Sequence, residues 1–339
     1  MQENTYQTPS GKLIEIDGIQ YQIIDGKLYR YADLTFDKGF KIVLGRIGSE
    51  EVLRHLLNRM LGTSIIRLEY RNTEHPGMTE DENSSRFDVY CEDESGCCFQ
   101  IEMQNWSQKH FYKRAIYYSS LVVIDQATKA QAEFKKAIGK DTTKRWDYNF
   151  QPLYVVSFLN FKNWTSENIL EKSYPYISTY RYADVETKEE LGNCTNLVFV
   201  DLHSFKKKEE ECESLEDIWM YSIKNMHKLN SCPEKAKGTE IEDLYTKSEL
   251  AKMTHEQRLT YEKEVMTRND FLNFYAEGKA EALAEGRAEG LAEGRAEGKA
   301  EGRAEGQKEK AIEIAGKLIA TGMSAKEAAN FVGIAEEDL

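Results

Sequence analysis

The run from Arg86 to Gln104, Arg-Phe-Asp-Val-Tyr-Cys-Glu-Asp-Glu-Ser-Gly-Cys-Cys-Phe-Gln-Ile-Glu-Met-Gln, constrains the fold more than any other part of the chain. It reads as two strands joined at Ser95-Gly96, a turn-forming pair with acids just before it. Side chains on a strand alternate faces. On the second strand Phe99, Ile101 and Met103 therefore share one face, and Gln100, Glu102 and Gln104 share the other. On the first strand Phe87, Val89 and Cys91 point one way, and Asp88 and Tyr90 the other. When the apolar faces coincide, Asp88, Glu102 and Gln104 converge across the hairpin. Two readings stand side by side. One is a half-buried hairpin whose polar face meets water, the default for antiparallel sheets. The other is a pair of carboxylates that holds a hard divalent cation through oxygen, which can polarise a phosphoryl oxygen and generate a hydroxide nucleophile.

The flanking segments supply a mixed architecture. Ser49-Glu50-Glu51 reads as a helix start, with an N-cap and acids in the first turn. Val52, Leu53, Leu56, Leu57, Met60 and Leu61 then form one apolar face, and Gly62 ends the helix. Residues 72–85 read as a mobile loop. A helix is expected from Lys109 to about Ala132, with Arg114, Tyr117, Tyr118 and Leu121 at helical spacing. Leu153–Leu159 and Leu197–Val200 are short apolar runs of the kind found in buried strands. The charged block Lys206–Glu216 predicts a surface helix ending near Met226, and a further helical stretch runs to about Tyr275. Before all this, turns at Asp17-Gly18 and Asp25-Gly26 divide residues 1–30 into a small hairpin-like extension. The expected fold is α/β, a mixed sheet flanked by helices.

The formal charge of −13 argues against nonspecific polyanion binding by the chain as a whole. Its distribution is uneven, however. From Asn105 to Phe150 nine Lys/Arg face four Asp/Glu, directly after the proposed metal hairpin. A local basic surplus matters more than the total where phosphate contacts set affinity; the alternative is an ordinary solvated helix. None of the six cysteines forms a C-x-x-C pair, and the six histidines do not pair with them at zinc spacing. No apolar run approaches the ~18 residues of a membrane span or resembles a signal peptide. The reading is a soluble, cytoplasmic protein with reduced thiols and no membrane partner.

Residues 276–307 are eight tetrads: AEGK, AEAL, AEGR, AEGL, AEGR, AEGK, AEGR and AEGQ. On a helix, a period of four drifts by about 40° per tetrad. Neighbours at i, i+4 carry like charge, and each Gly costs roughly 1 kcal/mol against Ala. Two readings stay open: a solvated, partly helical tether, or a helix that pairs with a second copy through its small residues. Residues 308–339 regain apolar periodicity at Ile312, Ala315, Leu318 and Ile319. A capping box at Ser324–Glu327 opens a last helix containing Ala328, Ala329 and Phe331. An acidic end argues for a small docking module, and so for homo-oligomerisation through the tail, over a DNA-reading helix.

The hairpin and its surroundings resemble the PD-(D/E)XK nuclease superfamily, in particular its recombination-promoting nuclease and transposase family. The family's D…ExQ signature matches Asp88, Glu102 and Gln104. Asp37-Lys-Gly-Phe-Lys41 is similar to its DxxFK helix, Leu56–Leu61 to its LLNxxL, and Phe111–Tyr118 to its FxxRxxYY helix. Phe158–Phe161 and Leu202–Phe205 match two later strand ends. The resemblance covers roughly residues 31–275 and implies a restriction-endonuclease-like sheet followed by a long helical low-complexity tail. It further implies metal-dependent hydrolysis of DNA tied to recombination or mobile elements. Mg2+, or Mn2+ or Ca2+, would be held by Asp88, Glu102 and the Met103 backbone carbonyl, with Asp37 adding a carboxylate; the plain alternative for Asp37 is a helix start. Gln104 stands where many members carry Lys and brings no charge. Arg114 is the replacement cation, or else part of a structural ion pair. Lys109, Lys113, Arg114 and Tyr118 would contact DNA, with core packing the other reading of Tyr118. A second function class remains: a catalytically weak member of the fold that binds DNA or a protein.

Overall fold

A computed structural model describes residues 12–24, 26–71, 74–75, 85–86, 88–107, 110–139, 143–161 and 176–339. It divides into two compact units at Asn269/Asp270.

The first unit opens with a three-stranded antiparallel meander, β1 (Leu13–Ile16), β2 (Ile19–Ile24) and β3 (Lys27–Tyr29). Asp17 and Gly18 turn β1 into β2 with positive φ at both residues, the geometry a two-residue hairpin needs. Helices α1 (Asp37–Leu44) and α2 (Glu50–Leu61) follow. The apolar face of α2 is buried at Val52, Leu53, Leu56, Leu57 and Met60, and Gly62 closes it in the left-handed conformation. Ser49 occupies the N-cap, but its hydroxyl makes no capping bond; Glu50 instead accepts from the Gly48 N–H.

The central sheet has six strands in the order β10 (Ile177–Tyr180), β11 (Thr195–Asp201), β9 (Leu153–Leu159), β8 (Cys98–Gln104), β7 (Val89–Asp93) and β4 (Leu68–Tyr70). β8, β9 and β11 run parallel, and the outer pairs are antiparallel. The hairpin register sets Val89 opposite Ile101 and Cys91 opposite Phe99. Val89, Cys91, Phe99, Ile101 and Met103 enter the main core, which α1, α2, α4 (Leu215–Asn225) and α5 (Glu240–Ser248) cover.

The other sheet face is also covered. Helix α3 (Phe111–Ile138) lies over it, burying Phe111, Ala115, Ser119, Val122 and Gln126, and Val122 joins Tyr90, Cys98, Leu153 and Val155 in a second cluster. Most of the polar face of the hairpin is therefore closed off from water: Gln100 is fully buried and Tyr90 and Glu102 nearly so, while Asp88 and Gln104 at its end are half-buried. This corrects the solvated-hairpin expectation, and the cause is the parallel pairing of β8 with β9, which leaves β8 interior on both faces.

Other expectations are corrected too. The 72–85 segment carries a short ribbon pairing β5 (Glu74–His75) with β6 (Ser85–Arg86); the rest of that segment lies outside the described residues. α4 is a core helix rather than a surface helix, with Trp219, Met220 and Ile223 fully buried. Its acid Asp217 tolerates burial because it pairs with Lys207 at 2.7 Å and caps Ser214. The last long element, α6, is one continuous helix, His255–Ala320. Its first turns bury Tyr261 and Val265 in the main core.

In the second unit the tetrads lie within α6, and all of their residues are exposed. α7 (Ala325–Val332) follows with the Ser324–Glu327 capping box and a left-handed Gly333 cap. Ala315, Ala328 and Ala329 are buried, whereas Ile319 and Phe331 are exposed.

Candidate active site

The hairpin delivers its polar residues to the carboxyl end of the parallel strands, the edge where α/β sheets place ligands. β8 ends at Gln104 in register with Leu159 of β9, which in turn aligns with Asp201 of β11. Asp88 precedes β7, and the hairpin register continues it opposite Glu102. Its Oδ2 accepts the Met103 N–H at 2.9 Å. The N–H and C=O of one strand residue point to the same side, so the Met103 carbonyl is directed to the Asp88 side of β8.

α1 reaches the same place because Gly39 lets its backbone close in. A Cβ at Gly39 would stand 2.1 Å from the Asp33 carbonyl oxygen, and one at Gly45 would stand 3.2 Å from the Asp88 carbonyl oxygen. α1 thus starts at Asp37, within electrostatic reach of both hairpin carboxylates. The Phe36 that precedes it makes no side-chain cap. The Lys38 N–H in the first turn is satisfied by Glu264 Oε2 from α6, at 2.8 Å.

A chain of side-chain hydrogen bonds fixes the floor. Gln100 donates to Glu102 Oε1 at 2.7 Å, Gln104 Nε2 lies 3.5 Å from Glu102 Oε2, and Arg114 donates to Gln104 Oε1 at 3.1 Å. Arg114 comes from the first turn of α3, where its guanidinium lies over the Phe111 and Tyr118 rings at 5.7 and 5.8 Å.

The charges are unbalanced. Burial pushes the Asp88 carboxyl up to about 8, aided by Asp37 and Glu102 and opposed by the Met103 N–H and Lys41. Burial also raises Glu102, against the Gln100 hydrogen bond and Arg114. Asp37 is solvent-exposed at the mouth, yet protein on its other sides desolvates it enough to raise its carboxyl despite Lys38, Arg114 and Arg268. Glu264 is pushed up to about 7, again mainly by burial.

The structure therefore brings Asp37, Asp88, Glu102, Gln104 and Arg114 to one edge. Lys113 is exposed on α3, one residue from Arg114, and Tyr118 is half-buried against the Tyr90–Val122 cluster. Lys109 and Phe87 lie outside the described residues. Sequence reasoning missed Glu264 and Arg268, which follow the buried Tyr261 at helical spacing, i+3 and i+7. That spacing marks one helix face, but nothing local ties it to a hairpin more than 150 residues earlier.

The donor set is oxygen only, which suits a hard cation such as Mg2+. A buried carboxylate, Glu102, and a half-buried one, Asp88, are both held toward protonation by desolvation with no ion pair to either among the described residues, which matches a site completed by external positive charge. Among the described residues, no three His, Cys, Asp or Glu side chains gather at metal-binding distance. The fit is thus to Asp88, Glu102 and a carbonyl, with Asp37, the strongest nearby charge acting on Asp88, as a further carboxylate at the mouth.

No helix among the described residues is long and apolar enough to cross a membrane. Comparison with curated proteins gives no match, and comparison with solved structures gives none. A family model for the PD-(D/E)XK nuclease family transposase matches residues 34–277, a span from just before α1 to just past Arg268 that takes in every residue of the site. The chain belongs to the PD-(D/E)XK nuclease family of transposases.

Proposed function

We propose that the chain is a divalent-metal-dependent DNA endonuclease serving recombination or mobile elements. The observation that carries this is the Asp88–Glu102 pair: two carboxylates opposite each other across the hairpin, Glu102 buried and Asp88 half-buried, both raised by desolvation and without an ion pair among the described residues. Asp88, Glu102 and the Met103 carbonyl are the groups that would hold Mg2+, with Asp37 nearby. A bound Mg2+ supplies charge to the phosphoryl oxygen and acidity to water.

The chain's own residues set the geometry. The Met103 N–H anchors Asp88, and Gln100 orients Glu102. Gln104 can hold a water through its amide, although it lends no charge. Its carbonyl is turned to Arg114, so the guanidinium is the fixed cation closest in the hydrogen-bond chain to Glu102. Arg114 stabilises negative charge developing on the phosphate. Lys113 and Tyr118 on α3 extend the DNA contact, with Lys109, which lies outside the described residues, a further candidate by sequence.

Purified protein incubated with supercoiled plasmid and Mg2+, Mn2+ or Ca2+ tests this. Nicking that vanishes with EDTA and in both Asp88→Ala and Glu102→Ala is expected. Full nicking by either folded variant overturns the assignment. One observation favours the second reading, a catalytically weak binding protein: no three ligand side chains gather among the described residues. Metal-independent DNA binding with no cleavage in any metal would establish it.

A further inference from the structure

Arg268 occupies an unusual position on α6. Its guanidinium lies 4.4 Å over the Phe36 ring and 5.6 Å from the Trp106 ring, so two aromatic faces hold it. Phe36 immediately precedes Asp37, and Trp106 follows Gln104 by two residues. Arginine carries five N–H donors. Among the described residues Arg268 makes one hydrogen bond, Nη2 to Asn105 Oδ1 at 3.5 Å. That oxygen already accepts Asn160 Nδ2 at 2.9 Å.

No carboxylate forms an ion pair with Arg268 among the described residues, although Asp33, Glu264 and Asp37 all lie in its field. Asp33 is engaged by the Thr35 N–H and hydroxyl, with His227 Nδ1 at 3.4 Å, and Glu264 by the Lys38 N–H. The Nε–H is buried without a partner, which costs stability. Packing alone does not explain a charge here, since an apolar side chain would fill the slot between the rings at lower cost. A guanidinium fixed by stacking, with most of its fork unused, is preorganised for a planar, bidentate anion contact.

We propose that Arg268 binds a phosphodiester oxygen of the DNA, as a second fixed cation beside Arg114. The two guanidiniums act on the same Asp37 carboxylate at the site mouth, so a phosphate arriving there meets both. The inference rests on the nuclease reading above. It also gives the first turns of α6 a part in the chemistry, because the face that buries Tyr261 and Val265 in the core carries Arg268 to the site.

The test uses the full chain with Arg268→Ala, Arg268→Gln and Arg268→Lys. Three quantities are measured: the salt dependence of binding to a labelled DNA duplex in EDTA, plasmid nicking with Mg2+, and Mn2+ affinity by calorimetry. Loss of one phosphate contact lowers the log–log salt slope by about 0.9. The Ala and Gln variants are expected to show that drop and about 100-fold slower nicking, with Mn2+ affinity unchanged. Lys keeps the charge and loses the planar fork, so it should keep the wild-type slope and still nick slowly. The Gln and Lys variants stand if Ala fails to fold. A wild-type slope in the Ala and Gln variants overturns the proposal. So does a parallel loss of Mn2+ affinity, which would make Arg268 a prop for the carboxylates. Wild-type protein that neither binds nor nicks DNA overturns the nuclease reading together with this one.

Discussion

Asp88→Asn should remove the metal site and at the same time stabilise the metal-free protein. The Asp88 carboxyl moves from an ordinary value of 3.8 to about 8 on folding, chiefly through burial. A raised carboxylate value means that the folded state holds the proton more tightly. Wild-type stability is therefore full below about pH 4 and lost as pH rises to about 8, where the cost levels off. Each pH unit in that window costs about 1.4 kcal/mol, so the penalty at pH 8 is on the order of 5 kcal/mol. Asn cannot ionise and still offers an oxygen to the Met103 N–H, whose 2.9 Å bond is the main local restraint on this side chain. The gain should be on the order of 3–5 kcal/mol at pH 8, or about 10 °C in Tm for a domain of this size. Melts of both proteins in EDTA at several pH values measure it. The gap should open between about pH 4 and pH 8, because acid effects elsewhere cancel in the difference. A gap independent of pH, or an Asn variant that melts lower at pH 8, refutes the reasoning. Mg2+ at 100 times its Kd should narrow the gap by about 2.7 kcal/mol, since only wild type gains binding free energy.

Arg114→Ala should lower nicking more than duplex affinity, because Gln104 leaves the site short of fixed charge; equal losses would make Arg114 a plain phosphate contact. Gly39→Ala should destabilise the fold by several kcal/mol, since the new methyl group would meet the Asp33 carbonyl oxygen at 2.1 Å with the buried Tyr261 ring at 3.2 Å; an unchanged melt refutes the close approach. A chain ending after Tyr275 should keep its cooperative melt and its metal affinity. A chain ending after Met253 should lose both, because Tyr261 and Val265 are core residues. Light scattering of the full chain and the chain ending after Tyr275, at matched concentration, reads whether the tail carries self-association; equal association states remove that role.

The hairpin and its register were legible because strand side chains alternate with period two and the turn at Ser95-Gly96 fixes the frame, and β9 and β11 because they are continuous apolar runs; the short edge strands β4 and β10 carry neither signal. What covered the second hairpin face was not legible. Gln100 and Glu102 look solvent-facing in a local pattern, yet parallel pairing and α3 enclose them. α4 was misread for a related reason. The Lys206–Glu216 charge block signals a surface, but the helix it introduces turns Trp219 and Met220 inward, while Lys207 satisfies the acid that goes with them. The tetrads carry a Gly cost that argues for fraying, whereas α6 continues unbroken through them. At the site, Asp88, Glu102, Gln104 and Arg114 could be found because they lie within one short span. Glu264 and Arg268 could not, because their proximity to Asp37 is created by tertiary packing of α6 against α1.

The charges also account for how a Gln can stand at position 104. Desolvation is the largest influence on Asp37, Asp88, Glu102 and Glu264 alike, ahead of every nearby cation. The three cations that soften it for Asp37 are Lys38, Arg114 and Arg268, beside a backbone hydrogen bond. For Asp88 the cation is Lys41, and for Glu102 it is Arg114. A Lys at 104 would lie two residues along the strand from Glu102 and on the same face, close enough to pair with it. An ammonium there would lower the proton affinity of Glu102 and weaken the field that draws in a divalent cation. With Gln the interior pair keeps that field, and the fixed positive charge stands instead on two arginines, each oriented by aromatic rings. Under the proposed function this divides the work. The hairpin carboxylates hold the metal, while charge stabilisation of the phosphate passes from the ExQ strand to α3 and α6.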